Sequence, residues 1–287
     1  MRGRWISLSI PRRVIADLMY FSAQMPAISA QREMSLSGVA AARTAGSERP
    51  PWPAVFTKAY AMVAAEFPEL RRAYVQLPWP HLYEYPASVA SVAVERSFDQ
   101  EPGVCFVHIK RPALLAVEQV GQLIKAAKQD AFEQTKSFRW MVRIAKCPML
   151  LRRVIWWIGL NWARQRANYF GTFALSTVSS LGTDILNPRS PATTLLTYGV
   201  ISGDGRVTVR VIFDHRVVDA ATVARALTRL EDVLNGPIAD ELRQSAKERS
   251  ETGPPLPDIV LTPSMIVGQP VPMSQHSTRP TAPIRSQ

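Results

Sequence analysis

The stretch from Thr193 to Leu234 constrains the fold of this chain more than any other. TTLLTYGVI (193–201) and RVTVRVIF (206–213) are apolar, β-branched runs on either side of SGDG (202–205). Turn residues between two such runs predict an antiparallel hairpin. DAATVARALTRLEDVL (219–234) follows at once, with Val223, Leu227, Leu230 and Leu234 at helical spacing, and Asn235, Gly236 and Pro237 predict its stop. A hairpin that feeds an amphipathic helix buries both apolar faces when the helix lies on the sheet, so the chain reads as α+β.

The rest of the sequence fits that plan. Pro11 opens a helix with Val14, Leu18, Phe21 and Met25 on one face, Pro26 ends it, and residues 27–35 read as a strand. A second helix spans 51–67 with Val55, Ala59, Val63 and Phe67 aligned. SVASVAVE (88–95), GVCFVHIK (103–110) and FGTFALSTV (170–178) read as further strands, and a helix over 112–132 points Leu115, Val120, Leu123 and Ala127 inward. LPWPHLYEYP (77–86) reads as an aromatic loop, and neither His81 nor His108 is expected to be catalytic. With 47% hydrophobic residues, residues 1–250 suffice for one large core. Residues 251–287 are rich in Pro, Ser, Thr and Gln without an apolar period, and are expected to form a disordered tail.

Several function classes lack their signatures. The chain has no glycine-rich phosphate loop, no GxSxG elbow, no HExxH pair and no metal-ligand spacing, so no metal is expected. Cys105 and Cys147 are too few for a disulfide framework, and the N-terminal residues lack the apolar core and cleavage site of a secretion signal. A cytoplasmic setting is therefore expected.

The most informative residues for chemistry are FDHRVVD, 213–219, at the junction of strand and helix. His215 stands at the strand end between Asp214 and Arg216, with Asp219 four residues on. Taken alone, the tripeptide DHR also fits a surface histidine in a salt-bridged turn. The segment resembles the DHRxxDG signature of the dihydrolipoamide acyltransferases of 2-oxoacid dehydrogenase complexes, in the chloramphenicol acetyltransferase-like superfamily. GTFALSTVSSLGTDILNP (171–188) is similar to that family's GTFTISNLG block and its following Asn-Pro, and PRRVIADLM (11–19) resembles its opening RxxIAxxM helix.

The resemblance implies a two-layer sandwich, a mixed sheet covered by helices, in a homotrimer with active sites between subunits. It implies His215 as general base, Ser176 as the hydroxyl that stabilises the oxyanion, and Asp219 as a structural carboxylate paired with Arg12 or Arg13 of the first helix. Chemically, an imidazole with a pKa of ~6.5 takes a proton from a hydroxyl or thiol near neutral pH, worth ~10²–10⁴ in rate. A fixed hydroxyl facing the developing oxyanion contributes on the order of 3 kcal/mol. No bound cofactor is required; acyl-CoA or an acyl carrier protein serves as co-substrate. Two departures stand out: Ala220 replaces the usual glycine, and TVSSLG replaces NLG. The 287 residues include no lipoyl-bearing domain, no peripheral-subunit-binding domain and no Pro-Ala linker, which points to a stand-alone member of the family.

One insertion suggests a setting for the acceptor. Residues 134–183 contain no acid but eight basic residues, with Trp140, Trp156, Trp157 and Trp162 interleaved, and Pro148 is expected to break residues 134–168 into two helices. The run is too charged to span a bilayer, but its pattern suits a helix lying among anionic head groups. Arg139, Trp140, Arg143, Arg152, Arg153, Trp156 and Trp157 are the expected membrane-binding residues. A subunit interface, or an insertion packed on the core, fits the same residues. The net charge of +11 also attracts nucleic acid, but no recognised nucleic-acid module accompanies it, so none is expected as partner.

The expected function is acyl transfer from a CoA or carrier-protein thioester to a hydroxyl or amine, a membrane lipid among the candidate acceptors, on the inner face of the membrane. The alternatives are a non-catalytic trimeric scaffold and a core subunit of an unusual oxoacid dehydrogenase complex.

Overall fold

A computed structural model describes residues 3–46, 49–98, 101–129 and 136–252. In chain order the elements are α1 (Ile10–Ser22), β1 (Ala27–Ser35), α2 (Ser37–Ala45), α3 (Trp52–Glu66), β2 (Arg72–Val75), β3 (His81–Glu84), β4 (Val89–Phe98) and β5 (Glu101–Lys110). There follow α4 (Val117–Gln129), α5 (Lys136–Lys146), α6 (Met149–Asn161), α7 (Ala163–Phe170), β6 (Phe173–Leu175), β7 (Thr194–Tyr198), β8 (Arg206–Asp214), α8 (Ala220–Val233) and α9 (Ala239–Thr252).

Six strands form one sheet in the order β1-β8-β7-β6-β4-β5, and β2 pairs with β3 in a separate hairpin. The sheet is mixed: β6 runs parallel to both β4 and β7, and the other neighbours are antiparallel. The expected hairpin is β7 and β8, with Thr194 opposite Phe213 and Tyr198 opposite Val209. Val207, Val209, Val211 and Phe213 alternate along β8 toward the core, where α8 adds Val223, Leu227 and Leu230. Beside α8 on the sheet packs α3, buried nearly all round, with Phe56 stacked on Tyr198 at 4.1 Å between ring centroids. A helix that is apolar on every face belongs in the interior. Helices laid on one mixed sheet give the expected two-layer α+β sandwich.

The structure corrects several expectations. Neither Asn235 nor Pro237 stops the helix after β8: a π-helical turn, Leu234–Ile238, carries it into α9. The wider turn tolerates the missing N–H of Pro237, Leu234 and Ile238 are fully buried, and the Asn235 side chain bonds the Val39 N–H and the Ser35 carbonyl. In α4, Leu123 is exposed, and Val117, Val120, Ile124 and Ala127 form the inner face. The aromatic loop contains a strand, β3. The strand expected over 170–178 shrinks to Phe173–Leu175, because the chain leaves the sheet where the Thr177 hydroxyl donates to the Tyr198 carbonyl. The strand expected over 193–201 ends at Tyr198.

The described residues up to Glu248 form one compact unit. Beyond it the described chain ends with the last residues of α9. The tail expected over 251–287 lies outside the described residues from 253 onward, as does the end of the 112–132 helix. Among the described residues, no helix is long and apolar enough to cross a membrane.

Gly171 sets the entry to β6. Its φ is +79°, and an added Cβ would lie 2.9 Å from both the Phe173 carbonyl oxygen and the Ser91 Cβ. Neither a left-handed φ nor that space suits a side chain, so Gly171→Ala is expected to cost about 1–3 kcal/mol. Urea unfolding measures it; an unchanged midpoint would show that the turn relaxes freely.

Candidate active site

His215 sits one residue past the end of β8, where the sheet hands over to α8. Its N–H donates to the Pro26 carbonyl at 3.3 Å, extending the β1–β8 ladder by one step. The turn is held from inside by Asp214. That carboxylate is buried and accepts from the Arg216 backbone N–H (3.0 Å), Nε (2.9 Å) and Nη2 (2.7 Å). The Asp214 carbonyl takes the Val217 and Val218 N–H groups, and the Arg216 guanidinium lies 4.2 Å from the centre of the Tyr74 ring. A charge-assisted bidentate pair of this kind fixes geometry.

The imidazole is oriented by its own loop. Nδ1 lies 3.1 Å from the Val218 carbonyl oxygen and 3.7 Å from Oδ1 of Asp219. Both partners only accept, so in the neutral ring Nδ1 carries the hydrogen and Nε2 keeps its lone pair. The side chain is 43% exposed. This leaves Nε2 uncommitted within the turn.

Asp219 does not take its expected partner. It is 84% exposed at the N-cap of α8, while Arg12 pairs with Glu101 at 3.5 Å. Arg13 donates to the Leu8 and Ala145 carbonyls. Both arginines of α1 face β5 and α5, away from the His215 turn. The clamp within the turn is Asp214–Arg216, whose buried carboxylate went unassigned in the sequence because nothing there marks which aspartate is interior. Ala220 begins α8 without a positive φ, so this turn needs no glycine at that position.

Ser176 follows β6 directly, half-buried, its N–H on the Leu196 carbonyl at 3.2 Å. The register places it far from His215. Leu175 pairs with Leu196, which aligns Ser176 with Thr197 on β7; Phe213 pairs with Thr194, which aligns His215 with Ala192. Five residue positions separate the two, on the order of 16 Å along the strand. Within one chain they lie toward opposite ends of the sheet and cannot share one carbonyl.

The basic insertion forms α5 and α6, broken at Pro148 as expected, with α7 as a third helix. Two of its expected membrane residues pack inward, one buried and one half-buried. Arg152 is buried and bridges Asp17 of α1 through Nε at 2.6 Å and Nη2 at 3.2 Å. The Trp156 ring lies between Phe21, stacked at 5.6 Å, and Phe170. The insertion has no acid of its own, and α1 supplies one. Arg139, Trp140, Arg143 and Trp157 are exposed, and Arg153 lies 3.9 Å over the Tyr20 ring. Of the other histidines, His108 has its pKa pushed down to about 4 by burial, which keeps that ring neutral in β5.

The architecture and the histidine turn define a class, the α+β fold of acyltransferase catalytic cores. Solved dihydrolipoamide acetyltransferase cores share it. The Azotobacter vinelandii enzyme, in whose catalytic mechanism a serine, a histidine and an asparagine have been examined, superimposes with a TM-score of 0.61 at 16% identity, over 83% of this chain and 93% of that one. A probable dihydrolipoamide acetyltransferase from Listeria monocytogenes gives 0.58 at 18% identity, over 82% and 95%. The catalytic core of the 2-oxoacid dehydrogenase complex from Thermoplasma acidophilum gives 0.58 at 17%, over 82% and 99%. No protein-family model and no curated protein sequence matches the chain. Identities this low establish the fold alone.

Proposed function

We propose that the protein transfers an acyl group from a thioester, acyl-CoA or acyl carrier protein, to a hydroxyl or amine acceptor, in a homotrimer. The observation that carries this reading is the His215 ring, with Nδ1 pinned to the Val218 carbonyl and Nε2 free. His215 Nε2 takes the acceptor's proton as the acceptor oxygen or nitrogen attacks the thioester carbonyl. The Ser176 hydroxyl of a neighbouring subunit donates to the oxyanion that forms. Collapse of the intermediate breaks the C–S bond, and the leaving thiolate takes the proton from the imidazolium.

The acceptor we favour is a lipid at an anionic membrane surface. Met149, Leu150, Leu151, Val154 and Ile158 of α6 are exposed, with Arg139, Arg143 and Lys146 exposed on the adjoining α5. That pairing of apolar and cationic side chains suits the head-group layer.

The separation of His215 and Ser176 supplies the test. His215→Ala and Ser176→Ala homo-oligomers should each lose transfer, and subunits of the two mixed before assembly should regain about a quarter of wild-type activity, because that share of seams in a randomly mixed ring joins an intact histidine to an intact serine. No recovery on mixing would remove the shared site. Absence of transfer in the wild-type homo-oligomer itself would favour a scaffold that keeps the fold without the chemistry.

A further inference from the structure

A cleft opens beside the His215 turn, and its charge is unbalanced. Arg216 and Tyr74 form one wall, Arg166 lines it, and Phe21 of α1, Met25 just beyond that helix and Trp157 of α6 contribute apolar surface. The lining contains no acid. Asp214 neutralises Arg216 through the bidentate pair. Arg166 has no such partner: the contacts that hold its buried guanidinium are the carbonyls of Tyr74, Leu160 and Pro191. Carbonyls satisfy N–H groups but do not cancel charge. Among the described residues, no carboxylate lies within ion-pair distance of Arg166, and burial lowers its pKa, with the field of Asp214 among the opposing influences. Arg152, the other buried arginine of the basic segment, meets Asp17. A buried cation is costly unless an opposite charge reaches it. Here the open side is the cleft, where Gln24, Gln76 and Asn161 add amide groups next to the apolar surface.

We infer that this cleft binds a small amphipathic anion: a carboxylate or phosphate monoester on an apolar body, its charge against Arg166 and its body along Phe21, Met25 and Trp157. The His215 ring does not line the cleft and packs against Phe213, so this seat is distinct from the imidazole.

Titration of the full chain with hexanoate, hexyl phosphate and 1-hexanol tests this by binding, without turnover. At least one anion should bind about tenfold or more tightly than the alcohol, since only the anion compensates the buried charge; which anion binds identifies the head group. Gln76 is exposed, so Gln76→Glu should fold normally and abolish anion binding by placing a carboxylate in the cleft. Arg166→Met should do the same, and the Gln76 variant decides the matter if Arg166→Met fails to fold. His215→Ala should bind the anion as wild type does, which separates failure of the base from failure of the cleft. Equal binding of 1-hexanol, absence of binding by both anions, or undiminished anion affinity in Gln76→Glu would overturn the inference.

Discussion

Replacing His215 with alanine is expected to lower acyl transfer by ~10²–10⁴ while leaving the fold intact, which is the range that positioned proton transfer contributes. The ring makes its polar contacts within its own turn, to the Val218 carbonyl and at 3.7 Å to Asp219, and almost half of it faces solvent. The turn itself is held by the Asp214–Arg216 clamp, which the substitution does not touch. Thiol release from acyl-CoA, followed with a panel of hydroxyl and amine acceptors, reads the first effect, and thermal unfolding reads the second. Asparagine at 215 is the sharper control. It keeps a donor for the Val218 carbonyl but offers no basic nitrogen, so it should be as slow as alanine. Activity near the wild-type level in either variant would end the role of this residue as base.

The largest loss of stability is expected from Arg152→Ala. The substitution strands the Asp17 carboxylate, which is only 4% exposed, without the guanidinium that now holds both its oxygens. Removing one partner of a buried pair costs about 3–5 kcal/mol, because the other charge stays buried without compensation. Replacing both, as Asp17→Leu with Arg152→Met, should recover most of that loss, since two apolar groups leave no charge to desolvate. Chemical unfolding of the two variants decides the point. A double variant no better than the single one would show that the pair contributes through its geometry rather than its charge. Arg139→Ala, by contrast, changes an exposed side chain of the same segment and should leave the unfolding midpoint where it is.

Much of the fold was legible because its signals are local. The β7–β8 hairpin shows its turn residues and its alternation within twenty residues, and α1, α3 and α8 show apolar faces beside prolines or polar caps. His215 was legible for the same reason, as a histidine between a strand and a helix. The rest depends on partners distant in the chain. That Arg152 is interior follows from Asp17, 135 residues earlier, and a basic run read alone places it on the surface. That Asp214 rather than Asp219 anchors the turn follows from burial, which spacing does not encode. The length of β6 is set by its parallel neighbours β4 and β7, and no periodicity is measurable in three residues. Arg166 was counted with the other basic residues of its segment, and only tertiary structure shows it without a carboxylate.

The distance between Ser176 and His215 along the sheet has a further meaning for a cell. On the proposed mechanism, a single polypeptide carries both halves of the chemistry yet can use neither on the same thioester, so it would stay inert toward the coenzyme pool until it meets others of its kind. Assembly would then act as the safety catch, keeping the freshly made chain silent without an inhibitor.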